Sequence, residues 1–278
     1  NNRDLRLAAL NVERARAYYG IQRAELLPSV NAAGSWYQDR VPADLSSTGS
    51  VLKSERYDVN LGIASWEIDF FGRLRSLKDT ALEEYLATDQ ARRSAQISLV
   101  STIAQVYLAL AADREAFQLV ASTLETQETS YKLIRKRYDV GIASELDLRR
   151  AQSQVDSARG DVARYTQLVA QDENALNLLV GSPLPQELLP LDLKNVMPPK
   201  EISAGLSSEV LLQRPDVLAA EHQLKATNAN IGAARAAFFP RISLTAFAGT
   251  ASADLSGLFK SGSGAWTFAP QIVMPIFD

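Results

Sequence analysis

The sequence predicts an α+β fold in which long antiparallel coiled-coil helices are joined to β-hairpins, the whole arranged as a twofold internal repeat. Three observations predict it. The 68 residues between Gly72 and Gly141 include neither glycine nor proline, although the 278-residue chain carries 14 Gly and 11 Pro. An apolar period of about 3.5 residues runs through that stretch and resumes beyond it. Residues 20–30 recur, in recognisable form, as residues 232–242.

Glycine and proline are the strongest helix breakers, so the gap predicts a single helix from about 72 to 139. Alternate steps of three and four from Ile103 reach Val106, Leu110, Asp113, Phe117, Val120, Leu124, Gln127, Tyr131, Ile134 and Tyr138. Only Asp113 and Gln127 are polar. Beyond the turn signal Val140-Gly141-Ile142-Ala143-Ser144, the alternation returns as Leu148, Ala151, Val155, Ala158, Val162, Tyr165, Val169, Asp172, Leu176 and Leu179. Two such seams predict an antiparallel helical hairpin over 71–180. At ~1.5 Å per residue its first helix would be ~100 Å long and the return helix, about 145–180, ~54 Å. A proline-rich, loop-like segment, 181–208, follows. A further helix is expected to start near Pro215-Asp216 and run to about Phe239; counted from Ser208 it is ~46 Å long, so the two shorter helices together match the long one.

The internal repeat has an offset of 212 residues. Gly20, Arg23, Ala24 and Pro28 recur as Gly232, Arg235, Ala236 and Pro240, and Asp4 recurs as Asp216. Period-2 alternation follows each proline. Val30, Ala32, Gly34 and Trp36 share one face; Tyr57, Val59, Leu61 and Ile63 alternate with Asp58, Asn60, Gly62 and Ala64; Ile242, Leu244, Ala246 and Ala248 alternate with Ser243, Thr245, Phe247 and Gly249. A last strand is expected from about 266 to 273, with polar loops at 39–56 and 250–265. Such segments suit a membrane β-barrel, and equally a soluble hairpin.

Composition removes several function classes. With 29 basic and 32 acidic residues well mixed, the chain has no concentrated basic face for nucleic acid. It has no cysteine, so thiolate chemistry and sulfur-ligated metals are excluded, and a single histidine, His222, cannot make a multi-histidine metal site. No catalytic, cofactor-binding or metal constellation emerges, and the chain is not expected to be an enzyme. No unbroken apolar run approaches the ~20 residues of a membrane-spanning helix. The longest is Val106 to Ala112, so any membrane contact is expected through strands.

Several residues admit two readings. Gly141 suits a turn that needs positive φ, and Asp147 a favourable charge at a helix N-terminus. His222, among Glu221, Gln223 and Lys225, reads as a solvated surface residue. Gly160 reads either as a close helix contact or as drift, and Arg23 and Arg235 as ties between helix ends and the strands.

Taken together, the motifs resemble the outer membrane factor family, the TolC and OprM type of channel, and within it the OprM-like branch. The most specific are Arg214-Pro215-Asp216, Ala229-Asn230-Ile231-Gly232-Ala233-Ala234-Arg235-Ala236-Ala237-Phe238-Phe239-Pro240 and Val273-Met274-Pro275-Ile276-Phe277-Asp278. Ser65-Trp66-Glu67-Ile68-Asp69 and Arg137-Tyr138-Asp139-Val140-Gly141-Ile142-Ala143-Ser144 add to them. The resemblance implies an α+β membrane channel: a homotrimer in which each protomer gives four strands to a 12-stranded β-barrel and its helices to a periplasmic α-barrel. It assigns 1–27 and 209–239 to upper helices, 28–70 and 240–276 to barrel hairpins, and 181–208 to an equatorial segment. It also implies outer-membrane lipid, a periplasmic adaptor (membrane fusion) protein and an inner-membrane transporter as partners, with no cofactor. Val140, Gly141, Ile142, Ala143 and Ser144 match the family's adaptor-contacting tip, and Asp147 an acidic residue at its iris.

The implied activity is passive exit of drugs or other small toxic compounds. An exit duct for protein secretion is the alternative within the same fold. A soluble periplasmic coiled-coil scaffold would explain the heptads but not the repeated strands. The sequence also reads as truncated at both ends relative to a two-repeat protein. On that reading a 278-residue product is expected to form no conducting barrel by itself, its hairpins disordered, mispaired or detergent-dependent.

Overall fold

The computed structural model describes residues 2–194, 196, 197, 205 and 207–277. In chain order the elements are α1 (Arg3–Ala24), β1 (Val30–Val41), β2 (Leu52–Glu67), α2 (Arg73–Asp139), α3 (Glu145–Val180), α4 (Pro215–Ala236), β3 (Arg241–Ser252) and β4 (Gly264–Val273). Short 3-10 turns occupy Gln186–Leu188, Ser208–Gln213 and Leu255–Gly257. The chain divides into two compact units, one of Asn1–Leu10 with Gln90–Asp216 and the other of Asn11–Asp89 with Val217–Asp278.

In the first unit α2 and α3 form the helical hairpin. Every seam position from Ile103 to Ile134 is half-buried or buried, with Leu110 fully so, while the intervening positions are mostly exposed. The return seam behaves alike: Ala151, Val155, Ala158 and Leu176 are buried. Tyr138, the last position of the α2 seam, is exposed, because α2 ends one residue later. Leu110 and Leu176 enclose a core with Leu189, against which Ile103, Val106, Tyr107, Val169 and Leu184 pack. Leu184 and Leu189 come from the predicted 181–208 segment, so its described first part lies on the hairpin. Arg114 fastens it there, donating to the Pro190 carbonyl at 2.7 Å and to Glu173 at 2.6 Å. Residues 195, 198–204 and 206 of that segment lie outside the described residues.

The further helix begins at the expected Pro215 and ends three residues before Phe239. It runs Pro215–Ala236, preceded by the separate 3-10 turn. Proline disfavours helical backbone at the residue before it, and Arg214 is accordingly extended, with ψ 126. One expectation about membranes is also corrected. By length and composition alone, α2 is long and apolar enough to span a bilayer. Residues 94–112 carry no charge; scattered Ser, Thr and Gln break the apolar run without lowering its mean hydropathy much. One side of this stretch is the hairpin seam. Another, with Ser94, Ser98, Ser101 and Thr102, lines a groove shared with Arg214 and Asp216.

The second unit holds one four-stranded antiparallel sheet, in the order β1-β2-β3-β4. Its registers place the three predicted apolar sets on a common face. Val30 pairs Ile63, Trp36 pairs Tyr57, Leu61 pairs Ala248, and Ala248 pairs Trp266. The opposite face carries Ser35, Asp58, Asn60, Thr245 and Thr267. A register shift between Ile63 and Trp66 inserts a bulge that returns Trp66, opposite Leu244, to the apolar face. A Cβ on Gly62 or Gly249 would strike the neighbouring strand's backbone, at Ala246 and Val59 respectively. Both glycines lie on the polar face, so the strands close toward that side. Phe247 packs its ring over Gly62 there. β1 and β4 are the sheet's outer strands.

The strands extend well past the predicted loops: the hairpin connections are only 42–51 and 253–263. Gln38-Asp39-Arg40 and Lys53-Ser54-Glu55 are polar on both faces, so alternation fades while the backbone goes on pairing.

Candidate functional site

Two places collect the side chains that the sequence singles out or that the fold brings together: the hairpin turn in the first unit and the strand-to-helix junction in the second.

At the turn, α2 ends at Asp139 and Gly141 adopts φ 75. The Gly141 amide donates to the Tyr138 carbonyl at 2.9 Å and the Ile142 amide to the Arg137 carbonyl at 2.8 Å. This is a Schellman closure, and its left-handed residue must lack a Cβ to avoid strain. α3 then starts from Ser144 as N-cap. The Ser144 hydroxyl donates to Asp147 Oδ2 at 2.6 Å and accepts from the Asp147 amide at 3.2 Å, while that carboxylate also accepts from the Ser144 amide. The result is a reciprocal capping box. The Ser144 hydroxyl, then its amide, hold the Asp147 carboxyl below the ordinary carboxylate range.

The turn therefore satisfies its own backbone and leaves its apolar side chains outward. Val140 is 68% and Ile142 77% exposed, and Leu146 one turn on is also exposed. The structure thus gathers Val140, Gly141, Ile142, Ala143, Ser144 and Asp147 at one turn. The capping box was missed from the sequence, although Ser-x-x-Asp at the start of the second seam is its signature.

At the junction, β2 hands over to α2 through Ile68–Gly72. Asp69 caps the helix, accepting from the Leu74 amide at 3.1 Å and from the Arg75 amide and side chain at 3.0 Å. Burial pushes the Asp69 carboxyl up, but the Arg75 amide and side chain and the Leu74 amide outweigh it and hold the group below its ordinary value. Glu67 takes a bidentate grip from Arg73, at 2.8 and 2.7 Å, and also pairs with Arg241 on β3 at 3.4 Å. Phe71 stacks on Phe239, ring centroids 4.8 Å apart.

The predicted ties, Arg23 and Arg235, are not the ones used. Both are exposed, and among the described residues neither side chain is bonded to the sheet. Glu67, Asp69, Arg73 and Arg241 bind instead because they flank the joint directly, whereas the helix-end arginines lie a loop away.

His222 also departs from expectation. It is half-buried, with Nδ1 2.6 Å from Glu83 Oε2 on α2, a partner 139 residues away that no local pattern could name. In the same unit Gly232 packs closely on Ser76, whereas Gly160 meets nothing within 4 Å. Gly160 is therefore not a contact glycine among the described residues. No group of His, Cys, Asp and Glu suited to a metal occurs among the described residues.

The sequence and the fold are similar to those of known proteins. The model of a family described as outer membrane efflux protein matches residues 1–182 and 206–278. The chain is 51% identical to a probable efflux pump outer membrane protein, TtgC, of Pseudomonas putida, covering all of this chain and 57% of that protein. It is similar in structure to a membrane protein from Pseudomonas aeruginosa, with a TM-score of 0.92, 43% identity, and coverage of 100% of this chain and 65% of the other. The open state of the Neisseria gonorrhoeae MtrE outer membrane channel superposes with a TM-score of 0.87 at 43% identity, over 100% of this chain and 61% of that one. The chain thus spans a little over half the length of TtgC. With a family match over most of its residues, the chain belongs to the outer membrane efflux protein family.

Proposed function

We propose that this chain builds the wall of an outer-membrane channel that serves as the passive exit duct of a tripartite efflux pump for drugs or other small toxic compounds. The observation that carries the reading is the sheet. It has one continuous apolar face, an opposite polar face toward which two glycines let it close, and two outer strands available for pairing. Outer strands left open to water invite aggregation. Joined edge to edge, three copies of a four-stranded sheet give a closed 12-stranded barrel, apolar toward lipid and polar toward the pore.

In this reading the protein is a homotrimer in the outer membrane, with its helices in the periplasm. A periplasmic adaptor docks on the turn Val140–Ser144, and an inner-membrane transporter supplies the energy. Asp147 places a carboxylate beside the aperture while holding the turn in shape. Similarity to an efflux pump outer membrane protein and to the MtrE outer membrane channel favours drug efflux over protein secretion.

The test is Gly141→Trp in cells that depend on the protein for drug export. Export is abolished while trimer level in the outer membrane stays normal, because the substitution changes what the turn presents and leaves the sheet untouched. Normal export at normal trimer level would reduce Gly141 to a turn residue and remove the docking role.

A further inference from the structure

The two helix-end arginines remain to be explained. Arg23 and Arg235 occupy the same place in the two halves of the repeat, each in the last turn of its helix. Each stands seven residues before the first apolar-face residue of a strand, Val30 and Ile242 respectively. Both are exposed, and among the described residues neither guanidinium has a partner. Between each arginine and its strand lies an apolar pair with exposed members, Leu27 in the first half and Phe238 and Phe239 in the second.

The direction of Arg235 follows from the helix. Ala233 and Ala236 are buried, and Ala237 lines a cleft with Arg241, Ser243 and Gln271 of the polar face. At 100° per residue, Arg235 lies about 200° around from Ala237. It therefore stands on the opposite side of the helix from that cleft, in the open.

We propose that Arg23 and Arg235 bind phospholipid head groups at the helix-side edge of the membrane band, each guanidinium taking a phosphodiester oxygen pair. This rests on the channel reading above and adds to it a lipid-selective site. The chemistry is complementary: a planar, permanently charged fork matches a phosphodiester. The position is also right, since each arginine precedes an apolar or aromatic pair and then the lipid-facing strand, the order in which polar and apolar layers follow one another at a bilayer surface. Anionic phosphatidylglycerol, whose head group carries no compensating amine, is the preferred ligand over zwitterionic phosphatidylcholine.

The experiment uses the protein extracted from outer membranes in detergent and titrated with phosphatidylglycerol or phosphatidylcholine, with bound lipids counted by native mass spectrometry. The wild type retains phosphatidylglycerol preferentially. Arg23→Gln with Arg235→Gln lowers that preference by about fivefold for each arginine removed. Lysine at both positions, which restores the charge without the fork, recovers only part of it, and that partial recovery shows that a charged contact and not folding was lost. An unchanged preference in the double glutamine variant overturns the proposal. So does equal competition by inorganic phosphate, which would make this a free-anion site. Quenching of tryptophan fluorescence by brominated phosphatidylcholine in vesicles separates the two readings. Trp36, Trp66 and Trp266 all lie on the apolar face, so absence of quenching would sink the channel reading itself. Quenching without lipid preference would sink only the arginine site.

Discussion

Helix α2 begins and ends in opposite ways. Its first residues are gripped: Asp69 caps two amides, Glu67 holds Arg73 and Arg241, and Phe71 stacks on Phe239. Its last residues touch almost nothing outside the turn, which is closed by its own backbone and by Ser144 and Asp147. The side chains follow suit. Glu67 and Arg73 are largely covered, at 17% and 25% side-chain exposure, whereas Val140 and Ile142 stand in solvent. The contrast teaches how each end is built. The strand-to-helix joint is held by interactions between elements. The exposed turn is held by interactions within itself.

The sharpest way to break this comparison is at the junction. Glu67→Ala leaves two guanidinium groups without their carboxylate and should cost about 2 kcal/mol in urea unfolding of the detergent-solubilised protein. A loss below ~0.5 kcal/mol would show that Arg73 and Arg241 are adequately solvated without it.

At the turn a smaller effect is expected, and its sign distinguishes two glycines. Gly141→Ala forces a Cβ into left-handed backbone and should destabilise by about 1 kcal/mol. Gly160→Ala, in mid-helix with open space around it, should stabilise by roughly 0.5–1 kcal/mol. If both substitutions destabilise, Gly160 has a neighbour in the assembled protein that this chain does not supply.

The smallest effect is a pH response that separates the seam from the ends. Burial, then the charge of Asp113 across the seam, raise the Asp172 carboxyl above its ordinary value. Its folded state therefore holds a proton more readily than its unfolded state. The associated stability is full below the unfolded pKa and is lost as pH rises through the folded value. Asp69 and Asp147 are lowered, so their contributions are present above the unfolded pKa and lost as pH falls through the folded one. Acidifying from neutrality toward about pH 4 should raise amide protection, corrected for the intrinsic pH dependence of exchange, around Asp172, whereas residues 73–76 and 145–148 keep their protection there and lose it only at lower pH, as the lowered Asp69 and Asp147 values are crossed. Asp172→Asn should abolish the first change only. Parallel responses at all three places would refute the assignment.

The helices were legible because helix formation leaves a local record. The glycine-free stretch and the heptad seam predicted α2 and α3 nearly to the residue, and the seam positions are the less exposed ones. The six turn residues were legible for the same reason, since Val140 to Asp147 are contiguous. Strand ends were not, because cross-strand hydrogen bonds carry Gln38 to Val41 and Leu52 to Arg56 onward without any apolar alternation. The junction was missed because its pairs, Glu67 with Arg241 and Phe71 with Phe239, join positions about 170 residues apart in the sequence. A separation of 139 residues likewise hid Glu83 behind His222. Asp113 and Asp172 were visible as the polar members of two apolar seams, and only their meeting across the hairpin shows why the Asp172 carboxyl is raised.

One consequence of the closed turn concerns the cost of recognition. A loop that must be ordered on binding loses backbone freedom worth about 1–2 kcal/mol per residue. Between Asp139 and Glu145 much of that freedom is already lost: one left-handed glycine, three amide hydrogen bonds back to the Arg137 and Tyr138 carbonyls and a serine–aspartate pair hold the segment in one shape. A partner closing on Val140 and Ile142 thus gains apolar burial with little entropic opposition. Even a contact patch of a few side chains can then hold, and its association rate will be set by diffusion and orientation, not by waiting for the loop to fold.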